Sequence, residues 1–394
     1  MNREEISKEI QAIKSNNILL ELATGFGKTL EGIKLIARNN PKSVLILAPR
    51  LSIIESWKRE FKKWGYEELL KITTFSTYVS LRKYANMSFT TICFDEAHHI
   101  SERVIEVLET IDRKYNVLLS ATITRSKKQE LQLAFPNLFT YSIKLKEAID
   151  NNVLPAPLVY LIPYYLDNTN RDILLTLKSS KKGKGVICDY TDRWKYLKDK
   201  SYTTIIVKCT QLEAISELSN KIEYLKRMYI RSHNEAFKNK WLQMAGQRLK
   251  MLGNFKTSIV LNLQVLFKNQ RCLTFCNSIE QTEQLGRYCI NSNNKDSLKL
   301  IDKFNEGKIN HITSCNMLSE GVNLVNCRIG IFASLDSSEI LIAQKNGRLL
   351  RHESPVLIIP YYKNTREEEI VSKMLEDYNP ELVTVVESLN QIKV

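Results

Sequence analysis

The 394-residue chain contains 43% hydrophobic and 25% charged residues, ordinary values for globular proteins that exclude disorder along the whole chain. Its 57 basic and 43 acidic side chains give a formal net charge of +14, which favours a polyanionic partner. No apolar run is long enough to span a bilayer, and the charged start MNREEISKEI lacks the apolar core of a signal peptide. We therefore expect a soluble, cytoplasmic protein without a membrane partner, built from two or three domains.

Short apolar runs alternate with helical patterns in the first part of the chain and again near its end. Such runs are typical of strands that are buried on both faces of a parallel sheet. The predicted strands are 18–22, 43–48, 90–95 and 116–120 in the first part, and 271–276, 309–314, 328–333 and 355–360 in the second. The sequence therefore predicts two α/β units, each with helices on both faces of its sheet.

Between these units lies a segment, residues 166–260, with 19 basic and 9 acidic side chains, which carries +10 of the net charge. We call it the basic segment, and we expect it to be largely helical because residues 212–262 are periodic and poor in glycine and proline. The predicted organisation is a first α/β domain, a hinge with two prolines in its first seven residues, the basic segment as an insertion or accessory segment, and a second α/β domain. Their ranges are 1–150, 151–165, 166–260 and 261–394.

The first predicted strand runs into a glycine-containing turn, which is followed by a helical pattern. This is the context of a phosphate-binding loop: glycines let backbone N–H groups face the phosphates, and the helix N-terminus adds partial positive charge. Lys28 would reach the β- and γ-phosphates, and the Thr29 hydroxyl would ligate Mg²⁺. The strict motif has glycine where this chain has Leu22. The loop residues predicted to bind nucleotide are Thr24, Gly25, Phe26, Gly27, Lys28 and Thr29.

A pair of adjacent carboxylates, Asp95 and Glu96, ends the buried strand predicted at 90–95. A carboxylate at a strand end can hold Mg²⁺, and its neighbour can orient or deprotonate an attacking water. An acidic helix N-cap would also place carboxylates here. Because the pair follows a phosphate-binding loop in the same α/β unit, we interpret it as catalytic.

These motifs together resemble superfamily 2 helicases and translocases of the DExH/DEAH type, in particular their compact restriction-enzyme and phage-type members. TGFGKT resembles motif I, the DEAH run from Asp95 motif II, and Ser120-Ala121-Thr122 motif III. The resemblance implies two RecA-like parallel-sheet domains in tandem, with ATP and Mg²⁺ bound in the cleft between them. By the family pattern, His98, Ser120 and Thr122 couple the nucleotide to the nucleic acid.

The second unit carries the rest of the family series. Residues 344–351 resemble motif VI, which implies that Arg348 and Arg351 stabilise charge on the transferred phosphoryl group and that Gln344 lies near the attacking water. Residues 317–323 resemble motif V, which implies that Glu320 and Gly321 contact the nucleotide. Adenine recognition is weakly marked, because Arg3 has a suitable spacing but Ile6 occupies the expected glutamine position, and Gln11 lies at an unusual distance.

The family binds one strand through its phosphates, and the matching residues here are Arg50, Thr77, Asn277 and Ser278. Aromatic residues of the basic segment, such as Trp194 and Trp241, could stack unpaired bases or could form the core of that segment. We expect an ATP-dependent DNA helicase or translocase, with an RNA helicase and a non-unwinding ATPase or clamp as alternatives. A monomer of phage or bacterial origin is expected, and proteins of replication, repair or recombination are the class of partner this function allows.

Overall fold

A computed structural model describes residues 2–180, 183–286, 288–315, 324–335, 347, 349, 352–376 and 378–393. Its first lobe is a six-stranded, wholly parallel sheet with strand order β3-β2-β4-β5-β1-β6. The strands are β1 Asn17–Leu22, β2 Val44–Ala48, β3 Thr73–Thr77, β4 Ser88–Asp95, β5 Asp112–Ser120 and β6 Phe139–Ile143. The helices are α1 Arg3–Ala12, α2 Lys28–Arg38, α3 Leu51–Lys63, α4 Glu67–Lys71, α5 Glu102–Leu108, α6 Arg125–Ala134 and α7 Leu145–Asp150, with 3₁₀ turns at Tyr78–Tyr84 and Ala97–His99.

Successive residues of each central strand enter different hydrophobic cores. Leu19 packs in one core cluster and Leu20 in another, and Leu45 and Ile46 divide in the same way. Because side chains alternate across a strand, this pattern shows that both faces of the sheet are covered by helices. The strand ends that carry the polar motifs therefore emerge together at the carboxyl edge of a rigid, buried sheet.

The second lobe is a seven-stranded parallel sheet with the order β12-β13-β11-β14-β15-β7-β16. Its strands are β7 Leu158–Tyr164, β11 Cys272–Cys276, β12 Cys289–Ile290, β13 His311–Cys315, β14 Ile329–Phe332, β15 Val356–Tyr362 and β16 Val383–Val385. The described helices are α12 Ile279–Gln284, α13 Ser297–Asn305 and a last helix, Arg366–Leu375, with 3₁₀ turns at Pro380–Leu382 and Leu389–Gln391. All eight strands predicted from sequence are present, which confirms two parallel-sheet units.

The predicted hinge is too long. Residues 158–164 form β7, which pairs in parallel with β15 over seven positions, from Leu158 opposite Val356 to Tyr164 opposite Tyr362. The two prolines that indicated a hinge, at 155 and 157, lie before this strand, and Pro163 lies within it. The irregular connection is therefore only 151–157.

The basic segment is not simply helical. Its first half forms a separate three-stranded sheet, in which β10 Tyr202–Cys209 lies between β8 Ile173–Lys178 and β9 Lys184–Asp189, together with a 3₁₀ turn at Tyr190–Asp192 and α8 Arg193–Lys198. The predicted helical half is confirmed as α9 Gln211–Ser232, α10 Glu235–Phe255 and α11 Thr257–Leu266. No helix in the described ranges is both long and apolar enough to cross a lipid bilayer.

Candidate functional site

The loop between β1 and α2 has the backbone that close approach to an anion requires. Gly25 and Gly27 have φ angles of 94° and 103°, in the left-handed region where a side chain is strained. Gly27 caps α2 without a side-chain hydrogen bond, so no side chain competes for the first N–H groups of the helix. The Thr24 hydroxyl is buried and has no hydrogen-bond partner among the described residues. An unsatisfied buried hydroxyl beside this loop fits a phosphate group.

Helix α1 lies against α2 and places Arg3 over the loop. The Ser7 hydroxyl donates to both carboxylate oxygens of Glu31 at 3.0 and 2.9 Å, which ties the two helices together. The Arg3 guanidinium donates to the carbonyl of Phe26 and lies 5.7 Å from the centre of its ring. Ile6, at the family's glutamine position, is fully buried in the core, and the Gln11 amide lies 3.5 Å from Glu31. Neither residue therefore presents an amide group as the family glutamine does, whereas Arg3 does reach the loop.

Asp95 ends β4 in a buried position. Trp57 donates its indole N–H to one carboxylate oxygen at 2.7 Å, and the Glu96 backbone N–H donates to the other at 3.0 Å. The Tyr78 hydroxyl donates to the Asp95 carbonyl at 2.8 Å. Burial, followed by the charge of Glu96, raises the pKa of the Asp95 carboxyl to about 6, against the lowering effects of Trp57 and Lys28. A buried carboxylate in this state is suited to a cation.

Glu96 is held in a strained conformation next to a polar relay. Its φ angle is 51°, a left-handed conformation that costs a non-glycine residue about 1–3 kcal/mol. One carboxylate oxygen is buried without a hydrogen-bond partner among the described residues, and it lies 3.5 Å from Nδ1 of His98. That nitrogen lies 3.1 Å from the Ser120 hydroxyl, which in turn donates to the Thr122 carbonyl. The structure thus brings together four predicted residues at the ends of β4 and β5.

The two lobes meet at the phosphate-binding loop. A Cβ atom added at Gly347 would lie 2.1 Å from Cβ of Thr24, so only glycine allows this approach of the second lobe. The predicted residues Glu320, Gly321, Gln344, Arg348 and Arg351 lie outside the described residues.

A second cleft, of about 510 Å³, lies between the lobes and is lined by residues that are predicted to bind nucleic acid. Arg50 follows β2 in the first lobe, whereas Asn277 and Ser278 follow β11 in the second. Thr77 is not among the residues that line this cleft; its hydroxyl donates to Ser80 at 3.2 Å. The other polar lining residues are Lys250, Glu280 and Ser292.

Sequence reasoning missed Trp57 and Lys250. A tryptophan within an amphipathic helix gives one usable signal, since a buried indole N–H needs an acceptor, but sequence alone does not reveal which. Among the aromatic residues of the basic segment, Trp194 is 56% exposed, whereas Tyr196 packs against the core of the small sheet. The core interpretation is therefore confirmed for Tyr196, and stacking by the exposed Trp194 stays a prediction.

Two parallel-sheet lobes that meet over a phosphate-binding loop and a strand-terminal acidic pair define a two-lobed, P-loop nucleotide hydrolase. Residues 2–125 match the family described as "Type III restriction enzyme, res subunit", and residues 255–353 match "Helicase conserved C-terminal domain". Together the matches include more than half of the chain. The protein belongs to the superfamily 2 helicases, which hydrolyse ATP.

Solved structures show the same architecture at low sequence identity. The helicase domain of Pyrococcus furiosus Hef matches with a TM-score of 0.51 and 14% identity, over 94% of this chain and 97% of that one. S. cerevisiae Dbp5 bound to RNA and ADP BeF₃ matches with a TM-score of 0.59 and 13% identity, over 98% and 89%. The type ISP restriction-modification enzyme LlaBIII bound to DNA matches with a TM-score of 0.54 and 12% identity. This match covers 98% of this chain but 31% of that one. No curated protein matches the chain in sequence.

Proposed function

We propose that the protein is an ATP-dependent DNA helicase or translocase that hydrolyses ATP between its two lobes. The observation that carries this proposal is the contact of Gly347 with Thr24, since it brings the second lobe onto the phosphate-binding loop. DNA is favoured over RNA by the match of the first lobe to a restriction-enzyme family.

The loop would bind the triphosphate of ATP through its backbone. Gly25 and Gly27 leave room for the phosphates, and Lys28 would neutralise their charge. The buried hydroxyl of Thr24 would gain the hydrogen bond that it lacks. Phe26 would hold its position beneath Arg3.

Thr29 and Asp95 would hold Mg²⁺, since a hydroxyl and a carboxylate are the oxygen ligands that this ion accepts beside phosphates and water. When bound, Mg²⁺ would neutralise charge that develops on the β- and γ-phosphate oxygens. The hydrogen bonds from Trp57 and the Glu96 backbone fix the Asp95 carboxylate before any ion arrives. Such preorganisation avoids paying for side-chain ordering during the reaction.

Glu96 would orient and deprotonate the attacking water. Its strained backbone and its buried carboxylate oxygen, without a hydrogen bond among the described residues, are features of a group held ready for a substrate. His98 would link that oxygen to Ser120 and, through the carbonyl of Thr122, to the end of β5. Movement of the end of β4 or β5 would therefore change the position of the Glu96 carboxylate.

The second lobe would complete the site. Arg348 and Arg351 follow Gly347 closely in sequence, and the family pattern gives them the charge-stabilising role on the γ-phosphate. Gln344 is proposed to lie near the attacking water, and Glu320 and Gly321 to contact the nucleotide. Arg50, Asn277 and Ser278, which share one interlobe cleft, would contact the strand backbone, with Thr77 as a further contact outside that cleft.

The test compares ATP hydrolysis with single-stranded DNA, double-stranded DNA and RNA, together with a strand-displacement assay. We expect DNA to stimulate hydrolysis more than RNA. Stronger stimulation by RNA would reassign the substrate, and hydrolysis without any stimulation would contradict a nucleic-acid motor. Stimulated hydrolysis without displacement would restrict the function to translocation.

Two variants test the roles at the nucleotide. Glu96→Gln should bind ATP normally but hydrolyse it about 10²–10⁴-fold more slowly, because the base is lost. Glu102→Gln, on the exposed start of α5, is the matched control and should keep full activity. Lys28→Ala should lose ATP binding, and unchanged affinity would contradict the loop assignment.

A further inference from the structure

The interlobe cleft lined by Arg50, Asn277 and Ser278 also contains a lysine side chain that belongs to no motif of either lobe. Lys250 belongs to α10 of the basic segment, yet it lines the same cavity as Arg50 of the first lobe and Asn277 of the second. Glu280 places one carboxylate in this cavity, so the two cations are in excess over acidic groups. An excess of positive charge among polar side chains favours a phosphodiester backbone.

The end of α10 is fixed firmly to the second lobe just beyond Lys250. The Gly253 carbonyl accepts a 2.5 Å hydrogen bond from the Gln281 amide, and a Cβ there would lie 2.3 Å from the Ser334 hydroxyl. The Ser278 hydroxyl, at the cleft itself, donates to the Asn254 side chain at 3.3 Å. Residues three and four apart share a helix face. Lys250 therefore shares the face of Gly253 and Asn254, which packs against the second lobe.

A buried ion pair anchors the next turn. Lys256 donates to Glu367 at 2.6 Å and to the Pro360 carbonyl at 3.1 Å, and both side chains of the pair are inaccessible to solvent. Such pairs are rare because desolvation must be offset by complete hydrogen bonding. The position of Lys250 relative to the cleft is thus set by rigid packing rather than by a loop.

We propose that Lys250 contacts a backbone phosphate of the bound strand, so that the basic segment contributes directly to the cleft that Arg50 also lines. This inference rests on the proposed function, and it extends that function to a residue outside the two lobes. The contact is independent of base identity, as stepping along any sequence requires.

The test measures binding of a fluorescein-labelled oligothymidylate to the 394-residue protein by fluorescence anisotropy over a range of KCl concentrations. Each phosphate contact to a single strand contributes about 0.7 to the slope of log K against log salt, or about fivefold in affinity at 0.1 M relative to 1 M salt. Lys250→Ala should therefore bind about fivefold more weakly at 0.1 M KCl, with a correspondingly shallower slope. Lys250→Arg should keep the wild-type slope because it keeps the charge.

Lys240→Ala is the matched control, since it removes the same charge from an exposed position of α10, about 15 Å along the helix axis. It should bind like the wild type. Wild-type binding and slope in Lys250→Ala would overturn the inference and leave the proposed function intact. Equal losses in both lysine variants would also overturn it, since they would indicate a general charge effect. No salt-dependent binding by the wild type would instead overturn the proposed function.

Discussion

Two buried carboxylates in this molecule have opposite surroundings. Glu367 accepts from the Lys256 ammonium with one oxygen and from the Tyr362 backbone N–H with the other, so its charge is fully compensated. Asp95 is almost as buried, but among the described residues Trp57 and the Glu96 backbone, both neutral, donate to its carboxylate, and the charge of Glu96 beside it outweighs the opposing charge of Lys28. The first carboxylate stabilises a junction, whereas the second is kept ready for a cation at a cost in stability. Burial alone therefore does not distinguish a structural acid from a functional one; the hydrogen-bond donors do.

The largest effect on stability is expected when the ion pair between Lys256 and Glu367 is broken. Lys256→Met leaves Glu367 buried without its cation, and it should lower the free energy of unfolding by about 3–5 kcal/mol in urea denaturation. Adding Glu367→Gln, which can still accept from the Tyr362 N–H, should restore most of that loss. A single variant as stable as the wild type would contradict the structural role of the pair.

The opposite result is expected for Asp95, which is buried beside the charge of Glu96. The pKa of Asp95 is raised from its ordinary value to about 6, so the folded state loses stability as pH rises through that interval. At pH 8, without Mg²⁺ or nucleotide, Asp95→Asn should therefore be more stable than the wild type by about 1–3 kcal/mol, yet inactive in ATP hydrolysis. Urea denaturation and an ATPase assay measure the two effects, and a destabilised variant would contradict the sign.

The same raised pKa makes Mg²⁺ binding sensitive to mild acid. At pH 5 a carboxyl of pKa about 6 is mostly protonated, so the apparent affinity for Mg²⁺ should be about tenfold weaker than at pH 7. Mg²⁺ titration of the ATPase rate at each pH measures this change. In nucleotide-binding assays with Glu96→Gln, the loss of Mg²⁺ affinity in acid should occur at lower pH. The reason is that the neighbouring charge that raises the pKa of Asp95 is gone.

The smallest effect is expected when one neutral hydrogen-bond donor to Asp95, the indole of Trp57, is removed. Trp57→Phe deletes the hydrogen bond to Asp95 and should weaken the apparent affinity for Mg²⁺ by about three- to tenfold, since such bonds to a charged group contribute about 1 kcal/mol or more. Phe61→Leu is the matched control, because Phe61 lies in the same core and its ring centre is 6.0 Å from that of Trp57. It should reduce stability without altering the dependence on Mg²⁺.

Motifs that depend on local chain geometry could be predicted from sequence. The loop from Thr24 to Lys28 needs only a strand, two glycines and a helix in succession, and Asp95 needs only a buried strand before it. Contacts across long separations could not be predicted. Trp57 finds its acceptor 38 residues away, and Lys250 looks like any lysine of a charged helix until its helix is docked.

The small sheet of the basic segment escaped prediction for a related reason. Strands β8 and β9 are only six residues long and mostly exposed or half-buried, and Lys178 and Lys184 match the charge of the surrounding segment. Short apolar runs occur in β8 and β10, but a run of this length does not indicate which strand it pairs with. The prediction missed β7 because two prolines at 155 and 157 indicated a hinge that was extended to residue 165, whereas the neighbours of β7 in space, β15 and β16, lie far along the chain.

The position of β7 also determines where the protein can be divided. The strand lies inside the second sheet, between β15 and β16, although the chain reaches it directly after the first lobe. A protease cut or a recombinant boundary at residue 166 would leave the C-terminal piece with a gap between two strands and an open row of unpaired backbone groups. A boundary within 151–157 would keep that sheet whole, and it would release the basic segment together with the second lobe, because both ends of that segment are rooted there.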